Sequence, residues 1–292
     1  MGEILRGFNY FIRGGTFLWK TSGLKRYAIY PWLINIAIFV AIVAVFFASL
    51  DRITGFATRF LPVLVPDVWY EWILYGLLIV LKYVIGTLVV VAFLIFIYYA
   101  FFMLGMVIAA PFNDVLSQRT EEFFRGRKWV ESEEGVKGIA KGAGRAMSGE
   151  VRKLIFFLVV QGALFALNFL PFIGNVFYVI LATTFAMIFF GLEFTDQSMG
   201  RRRFVFNEKR RVVWGSRGLM FGFGGSIFLV FFIPLVNLIS MPVGVVGGTL
   251  LYIDLEDSGR VAQIIGRDPL SKTPQPGAKS ARPGLGEELF PA

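Results

Sequence analysis

The sequence predicts an all-α integral membrane protein with two long transmembrane helices and two hemi-penetrating (re-entrant) helical hairpins. Of the 292 residues, 56% are hydrophobic, which is typical of a chain that lies largely in a bilayer. The apolar segments come in two lengths, and a helix that spans a bilayer needs about 20 apolar residues. The shorter segments come in pairs, and each pair is joined by a turn without charge.

The first 21 residues are predicted to form an interfacial helix. Apolar side chains recur there at helical spacing, among cations: Leu5, Phe8, Phe11, Ile12 and Leu18, with Arg6, Arg13 and Lys20. No apolar run in this segment is long enough for a signal peptide. Ser22 and Gly23 then predict the start of the next helix.

Two apolar segments, Ala28–Leu50 and Trp69–Gly105, are long enough to cross a membrane. Pro31 lies early in the first of them and predicts a kink. We expect residues 112–114, directly after Pro111, to break the second, and Asn113 or Asp114 can cap a new cytosolic helix there. Residues 125–149 are rich in charge and glycine, which predicts a loop or a weak helix.

Four shorter apolar segments form the two predicted hairpins. The first pairs Leu154–Leu170 with Val176–Phe194, and the second pairs Leu219–Ile233 with Leu238–Ile253. Short arms that meet at uncharged turns favour segments that enter the membrane and return to the same side. Six full spans also satisfy this pattern, because a turn without charge carries no information on sidedness.

The net charge is +9, and the Lys and Arg residues are unevenly distributed along the chain. Residues 112–153 carry nine Lys and Arg residues, and residues 195–217 carry seven. Because basic loops stay in the cytoplasm, we expect both segments and both termini to be cytoplasmic. Residues 1–257 then form a single helical membrane domain. Residues 258–292 are polar, with scattered Pro and Gly, and predict a disordered tail.

Composition excludes several classes of function. The chain has no Cys and no His, which removes zinc, haem, iron–sulfur, thiol and imidazole chemistry. A metal held by carboxylates alone stays formally open. The sequence contains no nucleotide-binding motif, and its basic clusters lack the aromatic interleaving of nucleic-acid-binding proteins. We expect no catalytic residues, no cofactor, no metal and no nucleic-acid partner; the basic clusters are expected to contact membrane lipid.

The start of the first long helix is a candidate anion site. The backbone N–H groups of Gly23 and Leu24 lie at the positive end of the helix. Lys25 and Arg26 add two cations where the helix dipole disfavours them, and a polyatomic anion would relieve this conflict. Cations at this point also fix topology, so the pattern alone leaves both interpretations open.

Other polar residues in apolar surroundings are candidates for a gate or a polar pathway. Glu193 ends an arm of the first hairpin; either cation of the basic pair is a candidate partner, or the carboxylate is simply solvated. Lys82 lies inside a span, where an ammonium is costly to bury, although snorkelling or pairing with another subunit also explains it. Asn35 and Asn113 complete the candidate pathway.

Several of these residues resemble the CysZ sulfate permease family, which includes eukaryotic etoposide-induced membrane proteins. The landmarks are Gly7–Phe11, Gly23–Arg26 with Pro31 and Asn35, Ala109–Asn113, Leu170–Gly174, Gly191–Phe194, Ile233–Asn237 and Met241-Pro242. The resemblance implies a multi-pass inner-membrane protein that admits sulfate for cysteine biosynthesis. It also implies a homo-oligomer, either a dimer or a larger assembly.

The resemblance assigns roles to individual residues. The basic pair of the family's sulfate site corresponds to Lys25 and Arg26, and Lys25 stands where arginine is more usual. A lysine presents a point charge instead of a bidentate fork. The Gly-Leu-Glu-Phe motif is intact, so Glu193 and Phe194 are expected to orient or gate the cations. The alternative function is a non-transporting membrane scaffold or regulatory protein, as the eukaryotic relatives allow.

Overall fold

The computed structural model describes residues 2–59, 65–126, 136–171 and 173–269. Throughout these ranges the backbone forms helices and turns, and none of it is strand. The helices are α1 (Gly2–Lys20), α2 (Ser22–Thr58), α3 (Trp69–Arg125), α4 (Val136–Phe165), α5 (Gly174–Arg201), α6 (Phe206–Gly215), α7 (Arg217–Phe231), α8 (Pro234–Asp257) and α9 (Arg260–Ile265), with a 3₁₀ turn at Ala166–Phe169. The predicted all-α class is confirmed.

Three helices are long and apolar enough to cross a membrane. They are α2 over Ser22–Phe56, α3 over Trp69–Phe101 and α5 over Gly174–Arg201. The pair α6 and α7 is a fourth candidate if it is counted as one broken span, since its two halves meet at 93°. The chain is therefore a multi-pass membrane protein by the length and composition of its helices.

Both predicted hairpins exist as paired helices. In the first, α4 and the 3₁₀ turn pack against α5, and in the second α7 packs against α8. The second arm of the second hairpin begins at Pro234, four residues before the predicted Leu238. Proline suits the first turn of a helix, because the N–H that it lacks would have no partner there.

The predicted break in the second long helix is wrong. α3 continues through Pro111 and ends at Arg125. A proline inside a helix costs about 3 kcal/mol, but the turns that follow it bury Leu116, Ser117 and Thr120. Tertiary packing therefore extends a helix that local signals would have ended. The segment 125–149, expected to be a loop or a weak helix, is helical from Val136.

The predicted tail does not begin at residue 258. Gly259 turns the chain with a φ of 71°, and α9 follows. Val261 is fully buried, and the Ile264 side chain lies so close to Gly215 that an added Cβ there would be 2.7 Å from Ile264 Cδ1. The tail prediction is therefore wrong for α9, because two apolar contacts order a segment of polar composition. Residues 270–292 lie outside the described ranges.

The chain divides into two compact units, and the single membrane domain over residues 1–257 stays a prediction. The first combines the N-terminal segment through Ala28 with the chain from Asn113 onward, and the second is Ile29–Phe112. In the second unit, α2 and α3 meet through the rings of Phe39 and Phe101, whose centroids are 5.2 Å apart.

The N-terminal helix contributes to the core of the first unit, where it packs against α7 and α8. Its buried face consists of Gly7, Tyr10, Gly14, Phe17 and Leu18. Gly14 permits close approach, because an added Cβ would lie 2.6 Å from the backbone nitrogen of Gly247. The opposite face exposes Leu5, Phe8, Ile12 and Trp19. The predicted interfacial helix thus has two apolar faces, and only the second is available to a membrane.

Candidate functional site

The start of α2 is fixed by Thr21, which separates it from α1. The Thr21 N–H donates to the Phe17 carbonyl, and the Leu24 N–H donates to the Thr21 carbonyl, both at 3.0 Å. The Thr21 side chain is buried, and its Oγ1 has no hydrogen-bond partner within the described ranges. An unpaired buried hydroxyl therefore lies at the positive end of α2.

The two predicted amide donors, Gly23 and Leu24, differ in their surroundings. The Leu24 side chain is fully buried, and its N–H is already bonded to Thr21. At Gly23, the Phe123 ring packs so closely that an added Cβ would lie 2.6 Å from Phe123 Cζ. Gly23 thus lets an aromatic ring pack against the helix start, and Leu24 anchors that start in the core.

Lys25 and Arg26 carry charges that no carboxylate neutralises in the part of the chain that the structure describes. Lys25 is partly exposed, and its Nζ lies 5.6 Å from the centroid of the Trp19 ring. Arg26 is exposed, with its guanidinium carbon 5.0 Å from the Tyr27 ring centroid. Aromatic faces attract these cations without cancelling their charge, so both stay able to pair with an anion.

Tyr27 connects this pair to a third cation. The Arg119 guanidinium lies 5.9 Å from the Tyr27 ring centroid, and the Tyr27 hydroxyl accepts a hydrogen bond of 3.3 Å from Arg26 Nη2. Arg119 itself is paired with Glu122 at 2.7 Å. Sequence reasoning missed these neighbours, because Arg119 is far from Arg26 in the chain and no motif joins them.

Glu193 pairs with neither cation of the basic pair; the prediction of such a partner is wrong. Its Oε2 lies 2.8 Å from Nζ of Lys153 on α4. The same ammonium lies 2.8 Å from Glu150 and 3.6 Å from Asp196. The Glu193 side chain is 44% exposed, whereas that of Lys153 is 5% exposed. Lys153 therefore ties the end of the α5 apolar arm to α4.

Electrostatics hold Lys153 in its charged form. Burial by itself would lower its pKa, but the negative charges of Asp196 and Glu193 outweigh burial and raise the pKa above its usual value. A neutral Lys153 would leave Glu193 without a cationic partner in the described residues, whereas Asp196 would keep Lys209 at 2.6 Å. No sequence pattern indicated this link, because Lys153 is only the last of many cations in its segment.

Phe194 is a core residue. It is 4% exposed, and its ring meets that of Phe223 on α7 edge to face, with centroids 6.5 Å apart. A Cβ added at Gly244 of α8 would lie 2.7 Å from Phe194 Cε1. Phe194 thus fixes α5 against α7 and α8, directly beside the exposed Glu193.

A second basic pair, Arg201 and Arg202, lies in a buried ionic cluster. Arg202 is fully buried, and its Nη2 donates to Glu121 at 2.5 Å and to Glu256 at 2.6 Å. Arg201 Nη2 donates to the Ser117 hydroxyl at 2.8 Å. The cluster joins α3, α5 and α8. The expected contact of this pair with lipid is therefore wrong for Arg202, whose charge is compensated inside the protein.

The same cluster keeps Glu121 ionised. Burial by itself would raise the pKa of Glu121, but the guanidinium groups of Arg202 and Arg201 outweigh it and hold the pKa below its usual range. A buried guanidinium and carboxylate that satisfy each other leave no charge for a mobile ion.

The three predicted pathway residues lie in different surroundings. Lys82 is exposed in the second unit. Asn35, also in the second unit, is half-buried, and its Oδ1 has no hydrogen-bond partner within the described residues. Asn113 belongs to the first unit and is half-buried on α3. Their place in a pathway stays a prediction.

A sequence model described as "Sulfate transporter CysZ/Etoposide-induced protein 2.4" matches residues 10–242. The chain belongs to this family. Curated CysZ relatives include the sulfate transporter CysZ of Pectobacterium atrosepticum, 28% identical over 250 residues (85% of this chain and 84% of the relative). The sulfate transporter CysZ of Pseudomonas fluorescens is 29% identical over 250 residues (86% and 94%).

The CysZ family match includes the basic pair of α2 and the Glu193–Lys153 contact. It ends at residue 242, before Glu256 of the buried cluster and before α9. The predicted resemblance to this family is confirmed, and the anion-site candidate lies well inside the matched region.

Proposed function

We propose that this protein is a non-enzymatic permease that admits sulfate through the inner membrane for cysteine biosynthesis. One observation carries the proposal: two cations without a carboxylate partner in the described residues lie at the positive end of α2, in a member of the CysZ family. Bacterial relatives of the chain are named sulfate transporters. Sulfate is a tetrahedral dianion whose oxygens accept several hydrogen bonds, and the α2 start offers charge and donors together.

The capture step uses Lys25, Arg26 and the first turn of α2. Arg26 presents a planar fork to two sulfate oxygens, and Lys25 adds a point charge. The Gly23 N–H and the Thr21 hydroxyl are donors at the same helix start. Leu24 acts indirectly, because its buried side chain and its bond to Thr21 hold the turn in place.

Glu193 acts as a gate in this proposal, not as a ligand, because a carboxylate repels a dianion. The support is its bond to Lys153, which joins α4 to α5 at the end of the apolar arm. Breaking that bond weakens the link between α4 and α5 to the 3.6 Å contact of Lys153 with Asp196, while Phe194 keeps α5 in the core. Lys82, Asn35 and Asn113 stay the candidate residues of a polar pathway in this proposal.

The proposed architecture has α2 and α3 as the full spans, and the pairs α4–α5 and α7–α8 as hemi-penetrating hairpins. The uncharged turns support this arrangement, as does the length of α7, whose 15 residues are fewer than a full span needs. The basic segments 112–153 and 195–217 are then cytoplasmic. The exposed apolar faces of α2 and α3 are proposed to contact lipid and further copies of the chain in a dimer or larger oligomer.

Sulfate uptake into liposomes that contain only this protein tests the proposal. We expect saturable uptake of radiolabelled sulfate and saturable binding to the detergent-solubilised protein. Arg152→Gln, which removes an exposed cation elsewhere in the first unit, should change neither. A protein that folds and oligomerises normally but shows no saturable binding and no uptake would contradict the proposal and favour the scaffold function.

A further inference from the structure

α6 has a basic outer face whose charges are not used inside the protein. Its inner side buries Val212 and Val213. Arg210, Arg211 and Trp214 are exposed on the outer side. No carboxylate in the described residues pairs with either arginine, in contrast to the preceding Lys209, whose Nζ lies 2.6 Å from Asp196.

The orientation of α6 suits a membrane surface. The helix meets α7 at 93°. From Gly218 to its end, α7 has no charged residue and is the half that can enter a bilayer, whereas four of the ten residues of α6 are charged. A charged helix perpendicular to an inserted helix lies along the membrane interface. Trp214 is an aromatic residue of the kind enriched at that level.

A shallow groove lies beside α6, between α4 and α5. It is lined by Phe156, Phe185, Phe189, Leu192, Trp214 and Arg210. Arg210 is the one charged residue in the lining, and its guanidinium lies 5.7 Å from the centroid of the Phe156 ring. The exposed side chain of Val159, three residues after Phe156, extends the apolar surface along the same side of α4.

We propose that this groove binds one anionic phospholipid. The lipid phosphate pairs with the Arg210 guanidinium, and an acyl chain lies against the partly exposed rings of Phe156 and Phe189 at the rim of the groove. The two parts of the site match the two parts of the ligand, because guanidinium groups bind phosphate oxygens in pairs and apolar rings favour hydrocarbon. A free oxyanion would satisfy the charge of Arg210 but would make no contact with the apolar rings beside it, so the lipid is the better fit. The site is separate from the basic pair of α2.

The test compares two neighbouring arginines by native mass spectrometry of the full-length protein with phosphatidylglycerol and phosphatidylcholine. We expect the wild type to retain phosphatidylglycerol preferentially. Arg210→Gln should reduce that retention about tenfold, the loss expected for one charge-assisted pair. Arg211→Gln removes the same charge from the same helix but lies outside the groove lining, and should have a much smaller effect. Equal losses in the two variants would overturn the proposal in favour of a general electrostatic surface.

Two further arms separate the lipid from a free anion and from misfolding. Soluble glycerol phosphate, which has the headgroup chemistry without acyl chains, should fail to displace the lipid at concentrations where phosphatidylglycerol itself competes. Displacement at similar concentrations would show a free-anion site and overturn the proposal. Arg210→Lys keeps the charge but not the fork, so it should retain the lipid at a level between those of the wild type and Arg210→Gln. Retention by Arg210→Lys as low as that of Arg210→Gln would also overturn it.

Discussion

Lys25–Arg26 and Arg201–Arg202 are both pairs of consecutive cations beside apolar helices, and the structure places them in opposite environments. The first pair is partly or fully exposed and lies on aromatic rings. The second is enclosed, and Arg202 is bonded to Glu121 and Glu256. The comparison shows that the partners of a cation, and not its presence in a sequence motif, decide whether it can bind an external anion.

The two pairs also differ in the free energy that their charges cost the folded protein. A guanidinium that is fully buried must be compensated by charges of opposite sign, so Arg202 is part of the fold. An exposed cation at a helix start costs only a few tenths of a kcal/mol to about 1 kcal/mol, and a bound anion reverses the sign of that cost. Lys25 and Arg26 can therefore be altered without loss of the fold, which separates binding from folding in experiments.

The largest effect is expected from Arg202→Met. This change leaves Glu121 and Glu256 without their principal buried partner, and the loss of one member of a buried ion pair costs about 3–5 kcal/mol. Thermal unfolding of the purified protein should show a large fall in the midpoint. Arg152→Met, at an exposed position, should leave the midpoint nearly unchanged. A stable, fully folded Arg202→Met protein would show that the cluster is dispensable.

Truncation of the C-terminus extends the comparison to two more cations with internal partners. Arg260 lies 2.7 Å from Glu3, and Arg267 lies 3.0 Å from Glu208. A chain that ends after Ser258 loses these pairs and the burial of Val261, which alone contributes roughly 2 kcal/mol. A chain that ends after Pro269 keeps all of them, so its unfolding midpoint should match that of the full-length protein. Equal stability of the two truncated chains would show that α9 contributes nothing.

The pH dependence of stability should be smaller and should have a defined sign. The pKa of a glutamate side chain in an unfolded chain is about 4.3. Because the fold lowers the pKa of Glu121, its stabilisation is fully present above about pH 5 and is lost as the pH falls through the folded-state value. The pKa of Lys153 is raised, so its contribution persists up to about pH 10 and is lost above it. Unfolding midpoints of the wild type and Glu121→Gln at a series of pH values check this, and an identical acid dependence in the two would contradict it.

The smallest effect on stability is expected from Glu193→Gln. The carboxylate is 44% exposed, and Lys153 keeps Glu150 and Asp196 as partners. Sulfate affinity at equilibrium should therefore stay within about twofold of the wild type, whereas the rate of uptake should change if the Lys153 bond is a gate. The contrary result is a weaker sulfate affinity in which uptake falls only in proportion to the fraction of protein with sulfate bound. That result would place Glu193 in the binding site instead of at a gate.

Apolar patterning was sufficient to predict the helical class, the two long helices and the pairing of the hairpin arms. It failed where tertiary contacts decide the outcome. α3 continues past Pro111 because the following turns are buried, and α9 is ordered by two apolar side chains in a polar segment. The burial after Pro111 leaves no local signal, whereas Val261, Ile264 and Ile265 recur at helical spacing and could have indicated α9.

The candidate site also contains residues that could be predicted from the sequence and residues that could not. Lys25 and Arg26 could be found from the sequence, because the conflict between two cations and a helix dipole is local. The partner of Glu193 could not, because Lys153 lies 40 residues away in the chain and is chosen by the packing of α4 on α5. The internal use of Arg202 was hidden for the same reason, since Glu121 and Glu256 come from two other helices.

The equilibrium sulfate affinity of the Lys25→Gln, Arg26→Gln double variant tests the central claim most directly. Arg152→Gln with Arg217→Gln removes the same charge from exposed positions of the same unit and is the matched control. Each charge-assisted bond contributes roughly 1.5–3 kcal/mol, so the double variant should bind sulfate at least about a hundredfold more weakly, with normal insertion and an unchanged oligomer. The control should bind like the wild type. A double variant that inserts normally and retains wild-type affinity would place the sulfate site elsewhere in the molecule.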